Sequence, residues 1–262
     1  MRLTILGSSA SYAGPGQACA GHLVESAGAR VLLDCGNGVL ANLASVIDPL
    51  TLDAVIISHP HPDHFLDLYP LQALLRYAPE GPAGPMPLYL PPGMFKAMSW
   101  FLSERGNAEL AAAFTTHDVI DAHTVTVGDL SITPYGVEHT EESFAFVVTD
   151  GAATLCYTSD TTLGDPVLRA ARGCDLLLAE ATLPEAYRGA APHLTAAEAG
   201  ALAREAGAGR LVLTHIWPTN DRDATAAEAA AAFGGPVAVA SEFDTFEVVP
   251  ASAQSDDRKA GS

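Results

Sequence analysis

Val55-Ile56-Ile57-Ser58-His59-Pro60-His61-Pro62-Asp63-His64 is an apolar, strand-like run that leads directly into four metal-ligand side chains within six residues. Imidazole and carboxylate are donors that zinc, manganese and iron all accept. A strand end stiffened by Pro60 and Pro62 can aim alternate side chains at two neighbouring ions. A solvated loop or a helix N-cap is the ordinary alternative, and so dense a set of donors weighs against it. Three more donors recur downstream in the same context, each just past an apolar run. His139 follows Leu130–Val137, Asp160 follows Leu155-Cys156-Tyr157, and His215 follows Leu211-Val212-Leu213-Thr214. Singly each would be an ordinary turn residue; together, behind H-x-H-x-D-H, they point to a metal centre at the ends of strands.

The surrounding chain alternates strand and helix patterns. Strands are predicted at 2–6, 22–25, 30–34 and 53–58, and a helix at 37–47 with Val39, Leu40, Leu43, Val46 and Ile47 on one face. A second helix is predicted over 64–77, ended by Pro79. The proline-rich segment 79–93 has the composition of a loop rather than a helix or central strand, and 94–104 that of a helix able to roof a site. Hairpins are predicted where 124–127 and 130–137 flank Gly128-Asp129, and where 143–149 and 154–157 flank Asp150-Gly151. Strands at 175–179, 210–213, 237–240 and 245–249 and helices at 163–172, 195–206 and 221–233 complete an α/β pattern without repeats. Residues 1–250 are expected to form one domain, and the small, polar tail 251–262 to be disordered.

Of the 262 residues 48% are hydrophobic, ample for a large core, and 13 basic against 31 acidic residues give a net charge of −18. Such a charge repels nucleic acid and anionic membranes unless a local site reverses it. No run approaches the roughly 18 apolar residues of a membrane span, and the first residues lack the long apolar core of a signal peptide. Four scattered cysteines, Cys19, Cys35, Cys156 and Cys174, suggest neither a disulfide framework nor a thiolate zinc site and are expected as small core residues. The expectation is a cytoplasmic protein.

The order H-x-H-x-D-H, His139, Asp160, His215 resembles the metallo-β-lactamase superfamily, and Asp34 in Leu32-Leu33-Asp34-Cys35-Gly36 resembles its earlier acidic motif. The resemblance covers nearly the whole chain. It implies an αββα four-layer sandwich with two divalent metals, zinc first and manganese or iron as alternatives. By this resemblance His59, His61 and His139 hold one metal, Asp63, His64 and His215 the other, and Asp160 bridges both. Members that are true β-lactamases commonly have a different residue at the bridging Asp, so Asp160 speaks against that activity, while sulfatases and thioesterases remain open.

A second set of residues resembles the phosphodiesterases of the superfamily. His193-Leu194-Thr195 is similar to the H-x-T stretch of ribonuclease Z and its relatives, and Glu180 to the acidic residue that accompanies it. Thr195 and Glu198 have the spacing of a capping box, which places His193 just before a helix N-terminus, where anions are attracted. The alternative is a plain loop residue before a capped helix. The resemblance implies attack of a metal-bridging hydroxide on phosphorus, with Asp63 orienting the nucleophile, His193 as general acid and Glu180 setting its tautomer. Ribonuclease Z usually carries a long inserted arm between its His and bridging-Asp motifs, whereas His139 and Asp160 here are only 21 residues apart. The segments 137–144, 192–200 and 213–218 instead resemble the arm-less enzymes that hydrolyse 3′,5′-cyclic nucleotides. A tRNA 3′ endonuclease, a hydrolase of non-phosphate esters or thioesters, and a non-catalytic metal-binding module are the alternatives in that order. The expected partner is a small anionic phosphodiester, with neither membrane nor nucleic acid. The segment 94–102, with Phe95, Met98, Trp100 and Phe101, admits a homodimer interface, a substrate lid or core packing. His22, His117 and His123 are expected to have no ligand role.

Overall fold

The apolar runs form fourteen strands in a computed structural model that describes residues 1–79 and 81–251. They are β1 (Arg2–Gly7), β2 (Gly21–Glu25), β3 (Arg30–Leu33), β4 (Ala54–Ile56), β5 (Met86–Leu90), β6 (Phe114–Asp118) and β7 (Val125–Val127). They continue with β8 (Leu130–Val137), β9 (Ser143–Thr149), β10 (Thr154–Tyr157), β11 (Leu176–Glu180), β12 (Leu211–Thr214), β13 (Val237–Val239) and β14 (Thr245–Glu247). Two seven-stranded mixed sheets result, ordered β14-β1-β2-β3-β4-β5-β6 and β13-β12-β11-β10-β9-β8-β7. Both switch from antiparallel to parallel pairing, at β3–β4 in the first and at β10–β11 in the second.

Strands such as β3 and β11 are apolar without alternation because both faces are buried. Val31 and Leu33 face the other sheet, in a core shared with Ile5, Phe146, Leu155, Leu178 and Val212. Leu32 between them points the opposite way, onto α1 (Val39–Ala44), α3 (Leu68–Tyr77), α4 (Met94–Met98) and α5 (Glu104–Ala113); α2 (Pro62–Phe65) precedes α3. The second sheet packs its outer side on α6 (Asp165–Ala171), α7 (Ala196–Ala206) and α8 (Arg222–Phe233), through a seam rich in alanine that includes Ala170, Ala199, Ala203 and Ala229. Three cores between four layers make the expected αββα sandwich.

Three local expectations are corrected. Segment 79–93 contains strand β5, paired on both sides, with β4 and β6. Its Pro87 is tolerated because the Tyr89 carbonyl bonds Ile57 on the β4 side, so Pro87 faces that side too, one residue before the β4 pairing begins at Leu88. The helix expected over 64–77 is two helices. The carbonyls of Asp63 and His64 accept from Ala20 N at 3.1 Å and Cys35 N at 2.7 Å, and Asp67 N donates to Cys35 O at 3.0 Å, so this turn bonds the loops before β2 and after β3 instead of continuing. That approach is close enough that a Cβ on Gly36 would lie 2.0 Å from the Asp63 carbonyl oxygen. The helix expected at 94–104 stops at Met98. Met94 and Met98 are buried in the core, whereas Trp100 and Phe101 are 79% and 70% exposed, so the segment divides between packing and surface. His117 lies on the edge strand β6, not in irregular chain. The expected tail lies, beyond Ala251, outside the described residues. No helix among the described residues is long and apolar enough to cross a membrane.

The four cysteines are buried and free, and burial pushes the Cys35 and Cys156 thiols well up, which leaves them unreactive. His22 is fully buried on β2 against the Tyr157 ring, at a centroid distance of 4.8 Å, and neither ring nitrogen has a hydrogen-bond partner. Burial pushes its pKa down from 6.5 to about 3. Below the ordinary value the unfolded chain takes up a proton here that the folded chain refuses, so this group costs stability as pH falls from 6.5 toward 3. In metal-free protein, His22→Leu should lose about 2 kcal/mol less stability than the parent between pH 7 and pH 5 in urea unfolding. Equal losses in both would show that His22 does not carry this acid sensitivity.

Candidate functional site

One edge of the sandwich collects the loops that leave the C-terminal ends of β3, β4, β8, β10, β11 and β12, and each ends in a polar side chain. Asp34 follows β3, the His59–His64 cluster follows β4, His139 follows β8, Asp160 follows β10, Glu180 closes β11, and His215 follows β12. Of the six non-glycine residues with positive φ among the described residues, four lie on these loops or beside them: Ser11, Asp34, Ser159 and His215, at 63°, 59°, 54° and 49°. Strained backbone concentrated here is what a site held in place by its surroundings shows.

The hydrogen bonds decide which imidazole nitrogen faces inward. His64 Nδ1 donates to Asp34 Oδ2 at 2.8 Å, and His139 Nδ1 donates to the Pro192 carbonyl at 2.9 Å, since both partners only accept. Ser58 Oγ donates to Asp34 Oδ2 at 2.8 Å and so accepts from His59 Nδ1 at 3.0 Å. Thr182 Oγ1 donates to Glu180 Oε2 at 2.6 Å and so accepts from His215 Nδ1 at 2.8 Å. His61 is turned the other way, with Nε2 at 3.2 Å from Thr140 Oγ1. Each ring thus spends one nitrogen on the protein and presents the other as a lone pair.

Those lone pairs converge in two groups. His61 Nδ1 lies 3.0 Å from His59 Nε2 and 3.2 Å from His139 Nε2. His215 Nε2 lies 3.2 Å from both His64 Nε2 and Asp63 Oδ2. Asp160 stands between the groups, its Oδ2 at 3.6 Å from His59 Nε2, 3.4 Å from His64 Nε2 and 3.8 Å from His139 Nε2. Its Oδ1 is buried without a hydrogen-bond partner. Lone pairs facing one another at such distances repel unless a cation sits among them. A tetrahedron with 2.0–2.1 Å metal–nitrogen bonds has edges of about 3.3–3.4 Å. The donor set therefore fits a divalent metal, with Asp160 placed to serve both groups.

Electrostatics agree. Burial, reinforced by neighbouring imidazoles, pushes His59 and His61 down, and burial likewise lowers His139, so all three are neutral donors. Burial opposes charge on His64 too, but the carboxylates of Asp160 and Asp34 outweigh it and hold its pKa well above the ordinary value. A field that favours a proton there favours a metal ion in its place. Against its own burial, Asp160 is held well below the usual carboxylate range by His215, His64 and His59. Asp63 is held low by its bond with His215 and by His64, and it also accepts from Ser11 N at 2.8 Å.

A family model described as "Beta-lactamase superfamily domain" matches residues 29–216, which hold this centre. The chain belongs to the metallo-β-lactamase superfamily. It is 37% identical over 253 residues to the uncharacterized protein Rv1339 of Mycobacterium tuberculosis, covering 95% of this chain and 92% of that one. It is 30% identical over 254 residues to the "Probable metallo-hydrolase YhfI" of Bacillus subtilis, covering 94% of this chain and all of the relative. The crystal structure of YhfI, a metallo-β-lactamase fold protein, superposes with a TM-score of 0.84 at 28% identity over 94% of this chain and 99% of that one. Ribonuclease Z of Myxococcus xanthus is 26% identical over 303 residues, covering 95% of this chain and 97% of the relative. Membership in this superfamily supports a metallo-hydrolase, and the His/Asp cluster suits divalent-metal binding.

All seven expected ligands are brought together, and His193 and Glu180 join them. His193 Nδ1 donates to the two Glu180 oxygens at 3.0 and 3.1 Å, and its ring stacks on His215 at 5.8 Å. Burial alone would lower His193, but the hydrogen bond and charge of Glu180, with Asp160 beyond, raise its pKa to about 9. Sequence reading missed Ser58, Thr140, Tyr157 and Thr182, the residues that orient the donors. Ser58, adjacent to His59, and Thr140, adjacent to His139, carried a positional hint. Thr182→Val should loosen the His215 ring and weaken divalent-metal affinity about 10- to 100-fold in a chelator competition, with Thr182→Ser close to the parent. Unchanged affinity in the Val variant would show that this link does not support the ligand.

Proposed function

We propose that the protein hydrolyses a small phosphodiester, a 3′,5′-cyclic nucleotide, with two divalent ions, zinc first, held as the resemblance implies. One observation carries the phosphodiester reading: a His193–Glu180 pair beside the metal donors, with His193 grouped with Asp160 and His215 but outside the sets that converge on His61 and on His64. Bound cations would supply Lewis acidity and charge for the phosphoryl oxygens. His193, its Nδ1 occupied by Glu180, has Nε2 left to protonate the departing alkoxide. Glu180 also accepts from Thr161 N and from Thr182 Oγ1, so one buried carboxylate sets both His193 and, through Thr182, His215. Asp63, tethered by Ser11 N and facing His215, is placed to orient the attacking nucleophile.

The size of the substrate follows from what surrounds the centre. Only the hairpin β9–β10 separates His139 from Asp160, which leaves no arm to hold a tRNA. Glu138, Glu141 and Glu142 flank His139 on the surface, and Arg188, close to His193 in sequence, is paired with Glu185 and Glu198. Local cations within an acidic rim suit a small anion and repel a polyanion. The relation to ribonuclease Z keeps a tRNA endonuclease as the second reading. A protein working on a nucleotide pool, with no membrane-crossing helix among the described residues, fits the cytoplasm.

Metal-loaded protein should hydrolyse cyclic AMP and bis-p-nitrophenyl phosphate faster than a thioester or a β-lactam and leave precursor tRNA intact. Endonucleolytic cleavage of precursor tRNA would overturn the small-substrate reading. His193→Ala should keep its fold, since Thr195 and Glu198 cap α7 without it. It should lose about a hundredfold to ten-thousandfold in kcat for cyclic AMP, whose leaving group is an alkoxide. The loss should be much smaller for bis-p-nitrophenyl phosphate, whose leaving group needs little protonation. Equal losses would assign His193 to phosphate binding instead of proton transfer.

A further inference from the structure

The two loops that deliver His193 and His215 meet through two pairs of rings as well as through the Thr182 hydroxyl. Deep in the site the two imidazoles stack at 5.8 Å, with the His193 side chain only 15% exposed. Further out, Tyr187 from the His193 loop meets Trp217, two residues beyond His215, at a ring separation of 6.5 Å. Tyr187 is 56% exposed and Trp217 half-buried. A third loop joins them. Ser9 bridges Ile216, Ala10 N donates to the Ile216 carbonyl at 3.1 Å, and a Cβ on Gly14 would lie 2.8 Å from Pro218. The same loop sends Ser11 N to Asp63 and carries Tyr12, 52% exposed. Three aromatic side chains thus stand on the three loops that hold Asp63, His193 and His215, and the hydrogen bonds and metal donors account for none of them.

We propose that Tyr12, Tyr187 and Trp217 form the platform on which the base of the substrate nucleotide stacks; this rests on the nucleotide reading of the site. A phosphodiester drawn to the buried donors directs its sugar and base outward, toward the rim these loops build. Every nucleobase has a π-face, and stacking on aromatic rings binds it without a charged partner. Arg188, beside Tyr187, is engaged by Glu185 and Glu198 and so is not offered as a cation to the base. Other aromatic side chains, Tyr69 and Phe101, pack on each other, and the Tyr69 hydroxyl is tied to the Met98 carbonyl.

Trp217 itself reports on the proposal. The chain has two tryptophans, and the other, Trp100, is 79% exposed, so Trp100→Phe leaves a single indole at the platform. Cyclic AMP and 5′-AMP should quench its fluorescence saturably, and ribose 5-phosphate should not. In the same background Tyr187→Ala should weaken the quenching affinity about five- to a hundredfold. Tyr187→Ala alone should raise KM for cyclic AMP by a similar factor with kcat nearly unchanged, while leaving KM unchanged for the same cyclic ribose phosphate without a base. Turnover of cyclic AMP without quenching and without a Tyr187 effect would overturn the platform and leave the phosphodiesterase reading standing. Quenching by nucleotides without turnover of cyclic AMP would keep the platform and overturn that reading. Neither quenching nor turnover would overturn both.

Discussion

The Asp34 carboxylate, buried at the end of β3 on a left-handed backbone, accepts four hydrogen bonds that tie the two sheets to the metal centre. Ser58 gives its N–H and its hydroxyl, Tyr157 reaches across from the other sheet at 2.7 Å, and His64 donates Nδ1 at 2.8 Å. Each bond fixes a different part of the site: the exit of β4, the spacing of β3 against β10, and the ring of one ligand. A buried carboxylate left without partners costs several kcal/mol, so these four groups are held where Asp34 needs them. The lone pair of His64 faces the centre because its other nitrogen has this acceptor.

Glu180 plays the matching part in the second sheet. It takes the Thr161 N–H, the Thr182 hydroxyl and His193, and through Thr182 it turns His215. Between these two orienting carboxylates lie Asp160 and Asp63, so four acidic side chains and six imidazoles share one edge of the sandwich. The imidazole nitrogens left over converge on one another and on the carboxylates of Asp160 and Asp63. These carboxylates raise the pKa of His64 and, with Glu180, that of His193, and the same field suits metal cations at the centre of a protein whose net charge is −18.

The ligands were legible in the sequence because they are local: His59, His61, Asp63 and His64 share six residues, and His139, Asp160 and His215 each follow an apolar run. Their orienting partners were not, because those bonds join distant positions, as His139 to Pro192, Thr182 to His215 and Tyr157 to Asp34. Long helices and hairpins followed from periodicity and Asp-Gly turns. Strand β5 did not, since composition alone does not show that the missing N–H of Pro87 falls just before the β4 pairing begins. The break between α2 and α3 was equally hidden, being imposed by bonds to Ala20 and Cys35 on two other loops.

On the proposed function, the converging lone pairs surround two cations. Anomalous diffraction from crystals of metal-loaded protein tests it most directly, with data on both sides of the absorption edge of the bound metal. Two peaks are predicted, one at bonding distance from His59 Nε2, His61 Nδ1 and His139 Nε2, the other from Asp63, His64 Nε2 and His215 Nε2, with Asp160 touching both. No peak among these residues, or a single ion held without Asp160, would contradict the account.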